Sequence, residues 1–191
     1  GTHGEAVHCG IVERNDVDVL YMTIPQASEA ETPELVANQA LRESLTFNET
    51  QPIDYILLGG ATTGRRQTTR QVAAASMPRD KMRRVRETLV GAVHAPAKIG
   101  LREPALAEFL RADFCKFNFG APVIIVQELC DEVNLTLCEE QNVLYFRSFK
   151  INPETDAESR ANRIRGEIAR TIATGSELLP DDAIVSRALY F

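Results

Sequence analysis

The stretch VIIVQELCDEVNLTLCEEQNVLYFRSFKI, from Val123 to Ile151, decides the fold of the C-terminal part of this chain. It contains three segments of strand-forming residues, at 123–126, 134–138 and 143–151. The last two are separated by the polar run 139–142, which is typical of a hairpin turn. The stretch therefore predicts three strands, the last two joined by a hairpin.

A long helix and one more strand follow. Pro153 and Glu154 favour a helix start, and Gly175 favours its end. One stripe of this predicted helix is apolar: Ala157, Ala161, Ile164, Ile168 and Ile172. The final residues 183–191 are a largely apolar strand, which leads us to expect that the chain is a piece of a longer protein. Three strands, a helix and a strand define an incomplete α/β unit over 120–191.

The N-terminal part alternates between strand and helix patterns. Residues 7–24 predict a strand region, with a turn at Asn15-Asp16 as an option. Thr32 as N-cap and Pro33 begin a helix with Ala37, Leu41 and Leu45 on its apolar face. The strands 53–58 and 67–76, a helix opened by Pro78 and a short strand at 97–101 follow in that order. This succession predicts a ferredoxin-like split βαβ subdomain over 1–101.

Residues 102–119 connect the two predicted units. Glu103-Pro104 begins a helix that carries Leu106, Phe109 and Leu110, and residues 113–120 form a crossing segment. The fold class expected for the whole chain is therefore α/β.

Composition limits the function classes. The chain has 191 residues, 44% of them hydrophobic, and a formal net charge of −6. Such a chain folds as an ordinary globular protein, and its acidity argues against nucleic acid as the main partner. We read its cysteines as reduced core thiols: Cys9, Cys115, Cys130 and Cys138. We find neither a membrane span nor a signal peptide in the sequence.

The stretch GGATTGRR, 59–66, has the glycine spacing of a phosphate-binding loop. Such a loop needs a lysine, then a Ser or Thr, and then a helix. Here Arg65 and Arg66 occupy those two positions and a strand follows. We interpret the stretch as a hairpin loop between the strands 53–58 and 67–76.

The remaining candidates for chemistry are weak. His8 and Cys9 are neighbours on a strand, so they point to opposite faces and are poorly placed to share a metal ion. His94 has no partner in sequence. The arginine-rich helix 79–86 either binds an acidic partner or is a solvated face, the commoner outcome. No Ser, Cys or Thr nucleophile has a base at a recognisable sequence spacing, so the residues alone indicate no enzymatic activity. We predict no catalytic residue and no metal site.

Four segments resemble PilM-type pilus assembly proteins in the same order. The first is PELVANQALRESLTF at 33–47, followed by IDYILL at 53–58. The others are VAAASMPR at 72–79, LREPALA at 101–107 and LYFRSF at 144–149. The similarity covers nearly the whole chain, and it rests on the order and spacing of these four segments. The family belongs to the actin-like proteins of the FtsA type. The resemblance implies an inserted ferredoxin-like subdomain followed by the start of the second actin-like (ribonuclease H-like) half, a βββαβ unit.

The resemblance also implies a place for a nucleotide. The family has a D-x-G phosphate turn after the strand equivalent to 123–126. This chain has Gln127, Glu128, Leu129 and Cys130 there, with no glycine and no aspartate in register. A side chain at the turn and the charge of Glu128 both oppose a phosphate. We therefore predict a degenerate turn and no cofactor in this chain.

These inferences lead to one leading hypothesis and two rivals. The leading one is a bacterial cytoplasmic scaffold of a type IV pilus or type II secretion-type assembly. It is held at the inner membrane by the tail of a PilN-like partner, without inserting into the membrane. The first rival is that the full-length protein binds and slowly hydrolyses ATP. The second is a polymer-forming module or other homo-oligomer.

Overall fold

The structure is a computed structural model that describes residues 9–12, 16–59, 69–92, 98–105, 121–139, 142–179 and 183–191. The chain divides into two compact units. The first comprises 1–56 and 72–102, and the second comprises 57–71 and 103–191. The elements are β1 (Cys9–Val12), β2 (Asp18–Pro25), α1 (Thr32–Glu43), β3 (Ile53–Leu58), β4 (Thr69–Ser76), α2 (Arg79–Ala92), β5 (Lys98–Leu101), β6 (Val123–Glu128), β7 (Glu132–Glu139), β8 (Asn142–Lys150), α3 (Ala157–Gly175) and β9 (Arg187–Tyr190).

The sheet with strand order β2-β4-β3 confirms the predicted split arrangement. The strands β2 and β3 flank helix α1 in sequence, but β4 lies between them in the sheet, so the βαβ unit is split. Strands β1 and β5 form a separate parallel pair, with Cys9 opposite Lys98 and Val12 opposite Leu101. The described part of the region 7–24 thus contains two strands, whereas Asn15 of the predicted turn lies outside the described residues.

Helix α1 covers one face of this sheet, and the predicted face is only partly confirmed: Leu41 packs against the core, but the fully buried positions differ from the predicted ones. Its buried apolar residues are Val36 and Ala40, which pack against Met22, Ile24 and other strand residues. Leu45 is fully exposed, because the helix already ends at Glu43.

The start of α1 also differs from the prediction. Thr32 is the first helical residue rather than the N-cap, and its hydroxyl donates to the carbonyl of Ser28 at 2.8 Å. Glu31 occupies the N-cap position, and its carboxylate accepts from the Ser28 hydroxyl at 2.6 Å. That bond lowers the pKa of Glu31.

The second unit has the sheet order β8-β7-β6-β9, the arrangement of a ribonuclease H-like βββαβ unit. Strand β7 pairs antiparallel with β6 and β8, and β9 pairs parallel with β6. A parallel neighbour requires a crossover connection, which α3 provides. The predicted α/β fold class is confirmed.

Side chains alternate along each strand, so successive residues lie on opposite faces of this sheet. Ile124, Val126, Val133 and Leu135 face α3 and pack against Ile164 of that helix. The residues between them face the opposite side and include Ile125, Thr136 and Phe146, which lie side by side across β6, β7 and β8. All three are buried, so both faces of the sheet are covered.

Helix α3 begins three residues later than the Pro153-Glu154 start that the sequence favoured. Asn152 holds these residues in a turn, since its side-chain oxygen accepts from the Glu154 backbone N–H at 3.0 Å. The N-cap is Asp156, whose carboxylate accepts from the Ser159 backbone N–H at 2.9 Å. A local side-chain bond to the backbone therefore competes with the helix until Asp156 provides a better cap.

Replacing Asp156 with alanine is expected to lower the melting temperature by about 2–4 °C at neutral pH, because an N-cap is lost. The hydrogen bonds from Ser159 lower the pKa of Asp156 below its usual value. A lowered folded-state pKa stabilises the protein above the unfolded-state pKa and stops doing so as the pH falls through the folded-state pKa.

The wild-type advantage over Asp156→Ala should therefore shrink in acid, below about pH 4. Asp156→Asn keeps an acceptor oxygen that does not titrate, so its advantage over alanine should persist. Melting curves by circular dichroism between pH 7 and pH 3 test this. An alanine variant that matches wild type at pH 7 contradicts the assigned cap.

Several sequence predictions fall partly or wholly outside the described residues. They include the loop 60–66, His8, His94, Cys115, the helix residues 106–110 and the crossing segment 113–120. At Gly59 the backbone N–H donates to the carbonyl of Val143 at 3.4 Å, and an added Cβ would lie 2.6 Å from Cγ of Asn142. Cys138 is buried and forms no disulfide with any described residue, as predicted, whereas Cys130 is exposed.

Candidate functional site

The turn between β6 and β7 lies two residues further along the chain than the sequence placed it. Gln127 and Glu128 still belong to strand β6, where they pair with Asn134 and Val133. The turn itself is Leu129-Cys130-Asp131-Glu132, closed by a 2.8 Å bond from the Leu129 N–H to the Glu132 carbonyl. The prediction that the strand ends at Val126 was wrong, because cross-strand pairing extends a strand beyond its apolar core.

Ion pairs hold this turn on both sides. Arg160 of α3 forms an ion pair with Glu128 and donates a 3.4 Å hydrogen bond to the carbonyl of Leu129. Both charged side chains are largely buried, at 18% and 23% exposure. On the other side, Lys150 of β8 lies 2.9 Å from the Asp131 carboxylate. The hydrogen bond and charge of Lys150 lower the pKa of Asp131.

Part of the backbone at the turn is also occupied. The Glu128 N–H donates to the carbonyl of Phe191 at 2.9 Å, and the Leu129 N–H closes the turn. The carbonyl of Asp131 accepts from the Ile151 N–H at 2.8 Å. An anion site at a turn needs backbone N–H groups that point at the anion. The N–H groups of Glu128 and Leu129 are already donated within the protein.

Two buried polar residues behind the turn were missed by the sequence analysis. Glu132 and Asn134 alternate with Val133 on β7, so both point away from α3. They are 1% and 3% exposed. Glu132 lies 3.9 Å from Lys150, and the Asn134 amide donates a long 3.5 Å bond to Gln127. The sequence did show that polar and apolar residues alternate at 132–136. That alternation does not reveal the burial of Glu132 and Asn134, because a strand with one solvent-facing side has the same pattern.

A second candidate site is a cavity of about 170 Å³ within the first unit. Tyr55 and Ile56 of β3, Met77 and Met82 form much of its wall, with Val12 and Leu101 from the β1-β5 pair. Its lining is mainly apolar, and Asp54 and Ser76 are its polar members. Pockets for drug-sized ligands have volumes of about 300–1,000 Å³. This cavity therefore suits an apolar side chain better than a whole small molecule.

The described residues can be compared with the requirements of a metal site and of a membrane-spanning helix. Within that part of the chain, no group of three or more His, Cys, Asp or Glu side chains could hold a metal ion. None of the helices described there is long and apolar enough to cross a bilayer.

Together, the split βαβ sheet and the βββαβ sheet define an α/β protein with the fold of PilM-type proteins, and solved structures agree. The chain is similar to one in the PilM-PilN type IV pilus biogenesis complex, with a TM-score of 0.61 and 17% identity. The match covers 88% of this chain and 54% of that one. At this identity the similarity establishes the fold, and it confirms the resemblance seen in the sequence.

Two further structures are similar. One is the cytoplasmic domain of EpsL, an inner membrane component of the type II secretion system of Vibrio cholerae. It has a TM-score of 0.52 and 11% identity, and the match covers 98% of this chain and 63% of that one. A Bacteroides thetaiotaomicron protein with an actin-like ATPase fold matches more loosely, at a TM-score of 0.45 and 12% identity over 85% and 53% of the two chains.

The sequence comparisons find no relative. No protein-family model matches the chain, and no curated protein matches it. The chain spans between about half and two thirds of the length of the solved structures that it resembles.

Proposed function

We propose that this protein is a scaffold of a type IV pilus or type II secretion-type assembly, and that it binds the cytoplasmic tail of an inner-membrane partner. The supporting observation is the fold, which is shared with a chain of the PilM-PilN complex and with the cytoplasmic domain of EpsL. Both structures belong to assemblies of the pilus or secretion kind. A chain that acts this way resides in the cytoplasm and reaches the membrane through its partner.

The cavity of the first unit is our candidate for the place where the tail docks. Its wall is apolar, and Tyr55 and Met82 are only half-buried, so both remain accessible. A pocket of this kind can bury one anchoring side chain of an extended peptide, and such anchors dominate the affinity of peptide interfaces. Asp54, which is exposed, offers an oxygen acceptor at the same wall for the peptide backbone.

The test uses the intact protein and a synthetic peptide with the sequence of the partner's cytoplasmic tail. Ile56 lines the cavity, whereas its neighbour Leu57 does not and is 44% exposed. Ile56→Asn should weaken binding by tenfold or more, about 1.4 kcal/mol, because it places a polar group in the pocket. The matched variant Leu57→Asn should bind like wild type.

Fluorescence anisotropy of a labelled tail gives both affinities, and melting curves confirm that each variant is folded. Absence of binding by the folded wild-type protein would remove the proposed function. Equal weakening by both substitutions would keep the partner but remove the cavity as its docking place.

We further propose that the β6-β7 turn is a structural turn rather than a phosphate-binding one. Three features support this: the side chains at Cys130 and Asp131, the ion pair of Glu128 with Arg160, and the use of the Glu128 and Leu129 N–H groups in internal bonds. Arg160 is the cation closest to the turn from α3, and it already neutralises Glu128. The geometry does not fit a triphosphate, so we derive no ATP chemistry from it.

Calorimetric titration of the intact protein with ATP and Mg²⁺ tests this second proposal. We expect no saturable heat of binding at micromolar protein concentration. Saturable binding that disappears in a Cys130→Trp variant, which blocks the turn, would overturn it and favour the ATP-binding alternative.

A further inference from the structure

Helix α2 carries a strong local positive charge in an acidic protein. Five of its fourteen residues are basic and two, Asp80 and Glu87, are acidic. The basic residues are Arg79, Lys81, Arg83, Arg84 and Arg86. The chain as a whole has a net charge of −6, so this helix differs in sign from the rest of the molecule.

The basic residues of α2 fall into two groups with different surroundings. Lys81 and Arg84 are each bound to an acidic neighbour, Lys81 to Asp16 at 3.6 Å and Arg84 to Asp80 at 3.5 Å. By contrast, the side chains of Arg79 and Arg86 form no ion pair or hydrogen bond with any residue that the structure describes. Arg83 lies between these two groups: it forms a 3.9 Å ion pair with Glu87, and this pair is weak because both side chains are about 70% exposed.

The less neutralised residues share one face of the helix. Arg79, Arg83 and Arg86 follow the i, i+4, i+7 spacing, which places them in a line along an α-helix. We call this line the arginine stripe. Val90 continues it at i+11, and its side chain is 50% exposed. The line from Arg79 to Val90 is about 16 Å long, from the rise per residue of a helix.

We propose that the arginine stripe, with Val90, binds the anionic headgroups of a phospholipid membrane. Its charge complements the negative surface of a cytoplasmic leaflet, which attracts clusters of Lys and Arg. An exposed apolar residue at one end of a basic line fits the boundary between headgroups and acyl chains. The choice of a membrane rests on the proposed function, which holds the protein close to the inner membrane through a partner.

This surface would act as a second, electrostatic attachment. A tail bound in the cavity fixes one point of the protein, and the stripe would then find lipid at high local concentration. The chain as a whole is acidic, so an orientation that presents α2 to the leaflet would be favoured over one that presents an acidic surface. The stripe therefore orients the scaffold on the membrane, in addition to strengthening its recruitment.

The test is sedimentation of the intact protein with vesicles, without any partner. One set of vesicles contains 30% phosphatidylglycerol in phosphatidylcholine, and the other is pure phosphatidylcholine. The double variant Arg79→Gln/Arg86→Gln removes two charges from the stripe. The double variant Lys81→Gln/Arg84→Gln removes two charges from the other side of the same helix, and is the matched control.

We expect wild-type protein to bind only the anionic vesicles, and to bind less as salt rises from 50 to 300 mM. Each basic residue near an anionic surface contributes roughly fivefold in affinity, so the stripe variant should bind about 25-fold more weakly. The control variant should lose less than threefold, because its side chains already have acidic partners. Circular dichroism checks that both variants retain helix and melt like wild type.

Three results would overturn the proposal: no binding to the anionic vesicles at 50 mM salt, equal binding to both vesicle types, or equal losses in the two double variants. Tighter binding to duplex DNA than to vesicles would also overturn it and indicate a nucleic-acid surface instead. Because no tail peptide is present, failure here leaves the tail-binding proposal intact. Conversely, if the protein binds anionic vesicles but not the tail peptide, the arginine stripe proposal stands and the tail-binding proposal fails.

Discussion

Replacing Phe146 with alanine should lower the melting temperature of the protein by about 10 °C, the largest effect we expect from one substitution. Phe146 lies on β8 and is completely buried on the sheet face away from α3. Truncation of a buried phenylalanine costs about 3–5 kcal/mol, as apolar burial is lost and a cavity remains. In a chain of this length, each kcal/mol corresponds to roughly 2–4 °C.

The same strand provides a matched control for that substitution. Phe149 also lies on β8, but it faces α3, is only half-buried and has Arg163 over its ring at 5.7 Å from the centroid. Phe149→Ala should therefore cost clearly less than Phe146→Ala. Phe146→Leu should retain most of the stability because it refills much of the space.

Differential scanning calorimetry of the three variants makes this comparison. If Phe146→Ala melts within about 3 °C of wild type, the second face of the sheet is not a packed core. The predicted ranking also fails if Phe149→Ala is the more damaging change.

Replacing Arg160 with alanine should produce the second-largest loss, about 4–8 °C in melting temperature. The substitution leaves the Glu128 carboxylate largely buried without its ion-pair partner, and it removes a donor from the carbonyl of Leu129. Hydrogen bonds to charged groups contribute about 1.5–3 kcal/mol, and breaking a buried pair costs up to about 5. We take the lower range because both side chains retain some contact with water.

Arg165→Ala is the matched control, since Arg165 is an exposed arginine on the same helix whose hydrogen bond is to Asn162, three residues away. It should change the melting temperature by less than about 2 °C. The double variant Glu128→Ala/Arg160→Ala should lose less than the sum of the two single variants, because no charge is left unpaired. Additive losses would show that the two side chains do not interact.

The strands of the second unit could be predicted from the sequence more accurately than the turn that follows β6. The sequence shows the strand 123–126 clearly, because burial on both faces of a strand favours a continuous apolar run. The segments 134–138 and 143–151 mix polar with apolar residues, and their strand-forming residue types indicate them. The turn that follows β6 has no such constraint: Glu128 at the end of β6 pairs with α3, and Asp131 in the turn pairs with β8. Its position was misjudged by two residues because Gln127 and Glu128 are polar yet still paired in the sheet.

Helix α3 shows the same contrast between apolar residues that the sequence predicted correctly and an end that it did not. The apolar stripe of α3 was correct at Ile164, Ile168 and Ile172, which all pack on the sheet, whereas Ala157 at its start is exposed. The first turn of α3 was not predicted correctly, because Asn152 captures the backbone of Glu154 before Asp156 caps the helix. Local competition of this kind depends on hydrogen-bond geometry that residue type alone does not specify.

The sequence by itself determined the α/β class, the order of strands and helices and the absence of a D-x-G motif. These follow from the periodicity of apolar residues and from residue identity, both of which are local along the chain. Only the tertiary structure decided which residues meet: Glu128 with Arg160, 32 positions away, the cavity walls around Tyr55 and Met82, and Lys81 of α2 with Asp16. Contacts between residues distant in sequence arise from strand register and helix packing, so they become visible only when the elements are assembled.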